Sequence, residues 1–171
     1  WAQGGDTAGI AAALAYCSTG DLMDGCSEKL DIFSYHYYNG VSERMAAMMP
    51  SAFTPFEGCM SEEYLGAAAH TARCFLSYRD KYATPGGEMW VTESGDAGGG
   101  GNTWGSTYLD VLRTLNELGD FATVTDGIIF HNTLASSAYG FLEHGTFEPR
   151  PNYFAVLLWN RLMGKTVYAT G

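Results

Sequence analysis

Apolar residues follow two patterns along this chain: short runs that are almost wholly apolar, and longer segments in which apolar residues recur every three or four positions. Short apolar runs predict β-strands, and we assign three of them, at residues 32–38, 89–93 and 124–131. The second run follows a break at Pro85-Gly86-Gly87. Residues 165–168 resemble the opening of a further strand.

The segments with helical spacing predict helices between and after these strands. One begins after Ser61, whose hydroxyl can cap it, and its apolar face contains Leu65, Ala68, Ala72, Phe75 and Leu76. The next ends at Gly119 and has an apolar stripe made of Tyr108, Val111, Leu112, Leu115 and Leu118. A last helix begins near Asn152 and stops at Gly164, and residues 10–16 predict one near the start.

Alternating strands and helices predict an α/β fold with a parallel sheet. Two architectures fit this order: an open doubly wound sheet and a closed (β/α)8 barrel. A complete barrel needs about 250 residues. The chain has 171 residues, with three clear strands and the end of a fourth before Gly4-Gly5-Asp6, so a barrel would be a partial one.

Composition and charge narrow the range of functions. No apolar run approaches the ~18 residues of a transmembrane helix, so we expect no membrane span. The formal net charge is −10 and the nine Lys and Arg residues are scattered, which argues against a nucleic-acid surface. The four histidines have no metal-ligand spacing and the four cysteines form no CxxC pair, so we expect no metal site.

The cysteines allow two interpretations. Cys17 could pair with Cys26, and Cys59 with Cys74, or they could be buried free thiols. The first interpretation favours an extracellular or secreted protein.

Glu93 is the strongest candidate for chemistry. It ends an apolar run and is followed by a loop with glycines at 98–101. Parallel α/β enzymes keep their catalytic groups at the carboxyl ends of strands, and glycines let a ligand approach the backbone closely. The alternative is a strand-end glutamate beside a flexible loop. The glycine run matches no phosphate-binding motif, so no nucleotide cofactor is predicted.

Polar and aromatic groups also end the other two strands. The first strand ends with His36, Tyr37 and Tyr38, and the third with His131 and Asn132, after which the loop carries Tyr139. In a parallel sheet these ends lie at one edge, within reach of Glu93. Hydroxyl and imidazole donors there would favour the ionised form of a carboxylate. Each tyrosine could instead be a core aromatic, and His36 a structural hydrogen-bonding residue.

Several motifs, taken in order, resemble glycoside hydrolase family 79, which contains heparanase and related β-glucuronidases. They are Gly4-Gly5-Asp6, His36-Tyr37-Tyr38-Asn39-Gly40, Trp90-Val91-Thr92-Glu93 with its glycine loop, Ala138-Tyr139-Gly140-Phe141, Phe147-Glu148-Pro149-Arg150-Pro151-Asn152-Tyr153 and Leu157-Leu158-Trp159-Asn160-Arg161-Leu162-Met163-Gly164. The similarity covers nearly the whole chain.

The resemblance implies a retaining hydrolase of β-linked glucuronides, with a TIM barrel joined to a β-sandwich and no cofactor. Glu93 matches the nucleophile, and Tyr37 the tyrosine that hydrogen-bonds it. Tyr139, Gly99 and Gly100 match groups that hold the sugar. The remaining predicted substrate-binding residues are Asp6, His36 and Asn132.

The chain matches only part of the family pattern. Residues 1–163 resemble strands 5–8, the C-terminal half of the barrel, and residues 164–171 resemble the linker or first strand of the sandwich. The acid/base glutamate of the fourth strand has no counterpart here. Because retaining hydrolysis needs two carboxyl groups, we expect the N-terminal half-barrel and the sandwich as partners.

Two other functions remain open from the sequence. The chain could be a non-catalytic carbohydrate-binding remnant that keeps the sugar pocket without the acid. It could also belong to a barrel glycosidase that acts on a neutral sugar. For the first hypothesis the partner is a glucuronide or a glycosaminoglycan-type carbohydrate.

Overall fold

The computed structural model of the protein describes residues 19–168. Within that range the chain forms four α-helices, three β-strands and three short 3-10 helices, at Glu43–Met45, Pro50–Ala52 and Phe56–Gly58. The helices are α1 (Thr19–Met23), α2 (Glu62–Tyr82), α3 (Tyr108–Val124) and α4 (Pro151–Leu162). The strands are β1 (Leu30–Tyr38), β2 (Ala83–Gly95) and β3 (Ile129–His131). Predictions about Asp6, Cys17, the helix at 10–16 and a strand before Gly4 lie outside the described residues.

The three strands form one parallel sheet in the order β1-β2-β3. Helix α2 connects β1 to β2, and α3 connects β2 to β3, so the described region consists of two consecutive β-α-β units. This arrangement confirms the predicted mixed α/β fold with parallel strands. Closure into a barrel and the numbering of the strands remain predictions.

The core lies between one face of the sheet and helices α2 and α3. Strand β1 points its odd-numbered residues Phe33, Tyr35 and Tyr37 into this core, and β2 contributes Met89 and Val91. The helices complete the cluster with Ala68, Ala72, Phe75 and Phe121. Full burial of each large side chain contributes roughly 1.5–3 kcal/mol, so this face holds the helices against the sheet.

Helix α2 begins where the sequence predicts. Ser61 is its N-cap, and the Ser61 hydroxyl oxygen accepts a hydrogen bond from the Tyr64 N–H at 3.2 Å. The predicted break at Pro85-Gly86-Gly87 instead lies within β2. These residues form a bulge in β2. The pairing passes from Leu30↔Ala83 to Ile32↔Glu88, so β2 advances five residues while β1 advances two.

Helix α3 differs from its prediction in both its end and its buried face. It runs through Gly119 to Val124, which leaves only Ile129–His131 as strand. Its predicted apolar stripe is not the buried face, since Tyr108 and Leu112 are exposed and Val111, Leu115 and Leu118 only partly buried. The face turned to the core is mostly polar and consists of Asp110, Arg113, Thr114, Glu117 and Phe121.

That polar face is stable because its charges pair with each other. Arg113 Nε lies 2.6 Å from Asp110 Oδ1, and Arg113 Nη1 lies 2.5 Å from Glu117 Oε2. Asp110 Oδ2 also accepts hydrogen bonds from the Ser106 N–H at 2.7 Å and from Asn152 Nδ2 at 2.6 Å. The helix therefore buries an ion-pair network in place of the predicted stripe.

The remaining corrections concern the cysteines and the end of the chain. Cys59 and Cys74 are free thiols, so of the two interpretations of these cysteines the disulfide is wrong and the free thiols are confirmed. Helix α4 ends at Leu162, and residues 163–168 form no strand, since no neighbouring segment of the described chain pairs with them. No helix within residues 19–168 is long and apolar enough to cross a membrane.

Candidate active site

A bulge in β2 decides which way Glu93 faces. The register steps from Tyr35↔Val91 to His36↔Glu93, so β2 advances two residues while β1 advances one, and Thr92 is the extra residue. Under strict alternation Glu93 would share the helix-covered face of Met89 and Val91. The bulge turns it instead to the other face of the sheet, where His36 and Tyr38 lie.

Three side chains hold the Glu93 carboxylate, two from β1 and one from the residue that follows β3. The Tyr38 hydroxyl donates a hydrogen bond to Glu93 Oε1, and Asn132 Nδ2 donates to the same oxygen at 3.0 Å. His36 Nδ1 lies 3.4 Å from the second oxygen, Oε2. The Glu93 side chain is still 36% exposed, so a ligand on the open face of the sheet can reach it.

Asn132 is the centre of this group of side chains. Besides Glu93, its Nδ2 donates to the Tyr38 hydroxyl at 2.8 Å and lies 3.4 Å from the Tyr139 hydroxyl. The rings of Tyr38 and Tyr139 are 6.0 Å apart. The structure therefore brings together four groups that the sequence placed at the strand ends and one from the loop that follows: Glu93, His36, Tyr38, Asn132 and Tyr139.

Tyr38 remains protonated, and therefore a donor. Burial raises its pKa well above the ordinary value, and the hydrogen bond to Glu93 raises it further, because both favour the neutral phenol. The hydroxyl accepts from Asn132 and donates to Glu93, so it links the two residues. Among the described residues, Glu93 is the one carboxylate that hydrogen-bonds to either of them.

The prediction that Tyr37 contacts Glu93 is wrong. Tyr37 points into the helix-covered core, is 4% exposed, and packs edge-on against Phe121 with ring centroids 5.5 Å apart. Its buried hydroxyl has no hydrogen-bond partner within residues 19–168. The physical reason is the alternation of side chains along β1, which places residues 36 and 38 on the open face and 37 on the other. That alternation was the signal that could have identified Tyr38.

The glycine loop lies beside Tyr139. Gly99, Gly100 and Gly101 all have positive φ, at 90°, 98° and 79°, a conformation that favours glycine. The loop is tied to the segment that carries Tyr139, because the Ala138 N–H donates to Gly100 O at 2.9 Å. A Cβ at position 101 would lie 2.8 Å from Tyr139 Cδ1, so the two segments are in close contact.

The outer side of the loop is supported by residues that follow β1. The Ser42 N–H donates to Gly98 O at 2.8 Å, and the Ser42 hydroxyl donates to Gly99 O at 3.0 Å. Arg44 Nη1 donates to Gly101 O at 3.0 Å. Gly99 is exposed and Gly100 half-buried.

Comparisons with known proteins find heparanase-like and glucuronidase relatives. The chain is 33% identical to heparanase-like protein 1 of Arabidopsis thaliana over 82% of its length, and 37% identical to baicalin-β-D-glucuronidase of Scutellaria baicalensis over 47%. It is 28% identical to hyaluronoglucuronidase of Hirudo nipponia over 86%. No family model matches the chain.

The chain belongs to the heparanase and β-glucuronidase family. It spans 24% of the length of the Arabidopsis relative, 16% of the Scutellaria relative and 28% of the Hirudo relative.

In this member of the family, His131 fixes the segment that carries Tyr139. Its Nε2 lies 2.7 Å from Tyr139 O, and its ring stacks on Phe141 with centroids 4.0 Å apart. Desolvation lowers the pKa of His131, so the ring is neutral near pH 7 and Nε2–H is the donor. The sequence placed His131 at a strand end but did not predict this supporting contact.

Proposed function

We propose that this chain carries the nucleophile and the uronate-binding half of a retaining glycoside hydrolase of family 79. One observation carries the proposal. Glu93 is accessible at the carboxyl end of a parallel strand, and one of its oxygens is held by two donors, Tyr38 and Asn132. Such support fixes the orientation of a carboxylate, as a nucleophile requires.

The proposed reaction takes place in two displacements. Glu93 attacks the anomeric carbon of a β-linked glucuronide, a C–O bond to Glu93 forms, and the bond to the leaving oxygen breaks. A carboxylic acid outside residues 19–168 gives its proton to the leaving oxygen. Its carboxylate then takes a proton from water, which attacks the anomeric carbon, releases glucuronic acid and restores the Glu93 carboxylate. The two carboxyl groups would stand about 5–5.5 Å apart.

Recognition of the uronate carboxylate is assigned to Tyr139 and to the backbone N–H groups of Gly99 and Gly100. Tyr139 is linked to the nucleophile through Asn132, and the glycine loop touches the Tyr139 ring. Neutral hydrogen-bond donors suit an anion in a chain of net charge −10. His36 and Asn132 face the same space, and Asp6 is proposed to join them.

The rest of the catalytic domain is proposed to cover the open face of the sheet. That face exposes Ile32, Ile128 and Phe130 at 37–48%, and a parallel sheet is normally covered on both sides. We assign residues 1–163 to strands 5–8 of a (β/α)8 barrel and residues 164–171 to the start of a β-sandwich. The remaining strands would supply the acid/base carboxylate.

The substrate class follows from the family. The relatives named above are a baicalin glucuronidase, a hyaluronoglucuronidase and a heparanase-like protein, and the substrate proposed for this chain is a glucuronide or a glycosaminoglycan-type carbohydrate. The acidic surface favours a lightly charged glucuronide over a highly sulfated chain. An extracellular location is proposed on the basis of the same relatives.

The decisive experiment uses the full-length protein and a chromogenic β-glucuronide. Glu93→Gln should abolish turnover, whereas Glu88→Gln should not, because Glu88 lies earlier on the same strand, is exposed, and accepts a hydrogen bond from Trp90 Nε1 instead of contacting the site. A 2-fluoro glucuronide should label the peptide that contains Glu93. Undiminished turnover by Glu93→Gln, or a label on another residue, would overturn the assignment.

A further inference from the structure

Asp96 is a buried carboxylate that the proposed reaction does not use. It lies three residues after Glu93, just beyond the end of β2, and is fully buried. Its Oδ2 accepts a hydrogen bond from the Asn102 N–H at 2.8 Å. Its Oδ1 has no hydrogen-bond partner within residues 19–168. Burying a carboxylate with one oxygen unpaired lowers the stability of the folded state, so the presence of Asp96 calls for a physical reason.

The bond from Asn102 to Asp96 closes the glycine loop. It joins the residues on either side of 97–101, the segment that contains the three glycines with positive φ. Consecutive glycines have no strong backbone preference of their own, so contacts with other residues must hold them in one conformation. Asn102 extends the support, because its Oδ1 accepts from the Glu43 N–H at 3.1 Å.

The surroundings of Asp96 are charged and buried. From α3, Asp110 and Arg113 face it, with Arg113 already paired to Asp110 and Glu117. From α2, the Tyr64 hydroxyl donates to the backbone oxygen of Asp96 at 3.4 Å. Burial, followed by the charge of Asp110, raises the pKa of Asp96 to about 6. The group therefore changes charge within the range of pH in which enzymes work.

We propose that Asp96 is a positioning residue whose carboxylate holds the glycine loop in the shape that receives the uronate group. The inference rests on the proposed function, since it assigns the loop to the sugar carboxylate. An ionised Asp96 accepts the Asn102 N–H more strongly than a neutral one. The loop is thus held most firmly above pH 6 and loosens as Asp96 becomes protonated.

The test compares two carboxylates that each accept a hydrogen bond from a backbone N–H, Asp96 at the glycine loop and Asp126 elsewhere. Asp126 Oδ1 accepts from the Met89 N–H at 2.8 Å, at the opposite edge of the sheet. In the full-length protein, Asp96→Ala should raise KM for a β-glucuronide about tenfold, the cost of one buried charge-assisted hydrogen bond, and change kcat less. Asp126→Ala should lower the melting temperature but leave KM unchanged.

Asp96→Asn adds a pH-dependent readout that a purely structural role of Asp96 would not change. It also keeps the proposal testable if Asp96→Ala does not fold. The amide keeps an acceptor for Asn102 but cannot ionise. Its KM should exceed that of wild type at pH 7.5 by about threefold, the difference between a charged and a neutral acceptor. The ratio of the variant's KM to that of wild type should approach one below pH 6, because Asp96 of wild type is then protonated. A ratio that stays constant with pH would refute the role of Asp96.

Hydrogen exchange separates this inference from the proposed function. Amides of residues 98–102 should exchange faster in either Asp96 variant than in wild type or in Asp126→Ala, whatever the substrate. If wild type neither binds nor cleaves glucuronides, the proposed function fails while the exchange result still tests the loop. If wild type cleaves them and the Asp96 variants match it in KM and exchange, the inference about Asp96 is wrong.

Discussion

Removing the Tyr38 hydroxyl should impair the reaction without disturbing the fold. In Tyr38→Phe the ring remains, but Glu93 Oε1 loses one of its two donors. Asn132 loses the acceptor that it reaches at 2.8 Å, so it is also less well fixed. The carboxylate then samples orientations that do not point at the anomeric carbon.

The size of the effect follows from the remaining contacts. A hydrogen bond to a charged group contributes about 1.5–3 kcal/mol, which corresponds to roughly 10- to 150-fold in rate. Asn132 still donates to the same oxygen at 3.0 Å, and His36 Nδ1 remains 3.4 Å from the other oxygen. We therefore expect the lower part of this range, a fall in kcat/KM of about 10- to 30-fold.

Tyr37→Phe is the matched control, since it removes the hydroxyl of the adjacent residue. That hydroxyl is buried and unpartnered within the described residues, so its loss should leave kcat/KM unchanged and stability unchanged or slightly higher. The assay is initial-rate kinetics of the full-length enzyme on a chromogenic β-glucuronide, with melting temperatures in parallel. Equal activities for the two variants, or a larger loss in Tyr37→Phe, would refute the assignment of Tyr38.

Three further predictions test the loop, the buried charges and the support of Tyr139. Gly101→Ala should reduce kcat/KM at least about tenfold with the fold intact by circular dichroism, because its Cβ would lie 2.8 Å from Tyr139 at a φ of 79°. Arg113→Met should destabilise the protein by about 3–5 kcal/mol in urea unfolding, since it leaves two buried carboxylates uncompensated. His131 has a lowered pKa in the folded state, so stability should fall as pH drops below about 6.5, where the unfolded chain takes up the proton, and His131→Gln should lessen that fall.

The sheet and the helix between its first two strands could be predicted because burial repeats along them. Strand β1 alternates a core side with an open side, and α2 repeats small and aromatic residues on one face behind the Ser61 cap. These patterns arise locally and require no knowledge of distant partners. Glu93 could be singled out in the same way, because it ends the apolar run of β2.

The error at Tyr37 has a different origin. Two tyrosines stand side by side, and the family resemblance matched the first of them to the partner of the nucleophile. The burial of Phe33 and Tyr35 already places Tyr37 on the core side, since all three are odd-numbered positions of one strand. The alternation rule therefore carried more information at this point than the match of motifs did.

The buried face of α3 could not be predicted from its own sequence. Asp110, Arg113 and Glu117 are spaced three and four residues apart, which is the usual pattern of a solvated helix face with ion pairs. Whether such a face points outward depends on partners elsewhere. Here Ser106 and Asn152, which occupy Asp110 Oδ2, make the inward arrangement possible. Of these two contacts, the one with Asn152 joins segments 42 residues apart in the chain.

The bulge at Thr92 shows why the candidate site depends on a departure from local rules. Alternation from Met89 and Val91 would direct Glu93 into the core, where its charge would be buried without the donors that now hold it. One extra residue reverses the direction and leaves Ser94 on the helix side, where it is 1% exposed. The Thr92 hydroxyl donates to Tyr35 O at 3.2 Å and so fastens the bulged residue to β1. A residue is extra only by comparison with the strand that it pairs with. The pairing of β2 with β1 therefore sets the orientation of Glu93, and no pattern within residues 89–93 specifies that orientation.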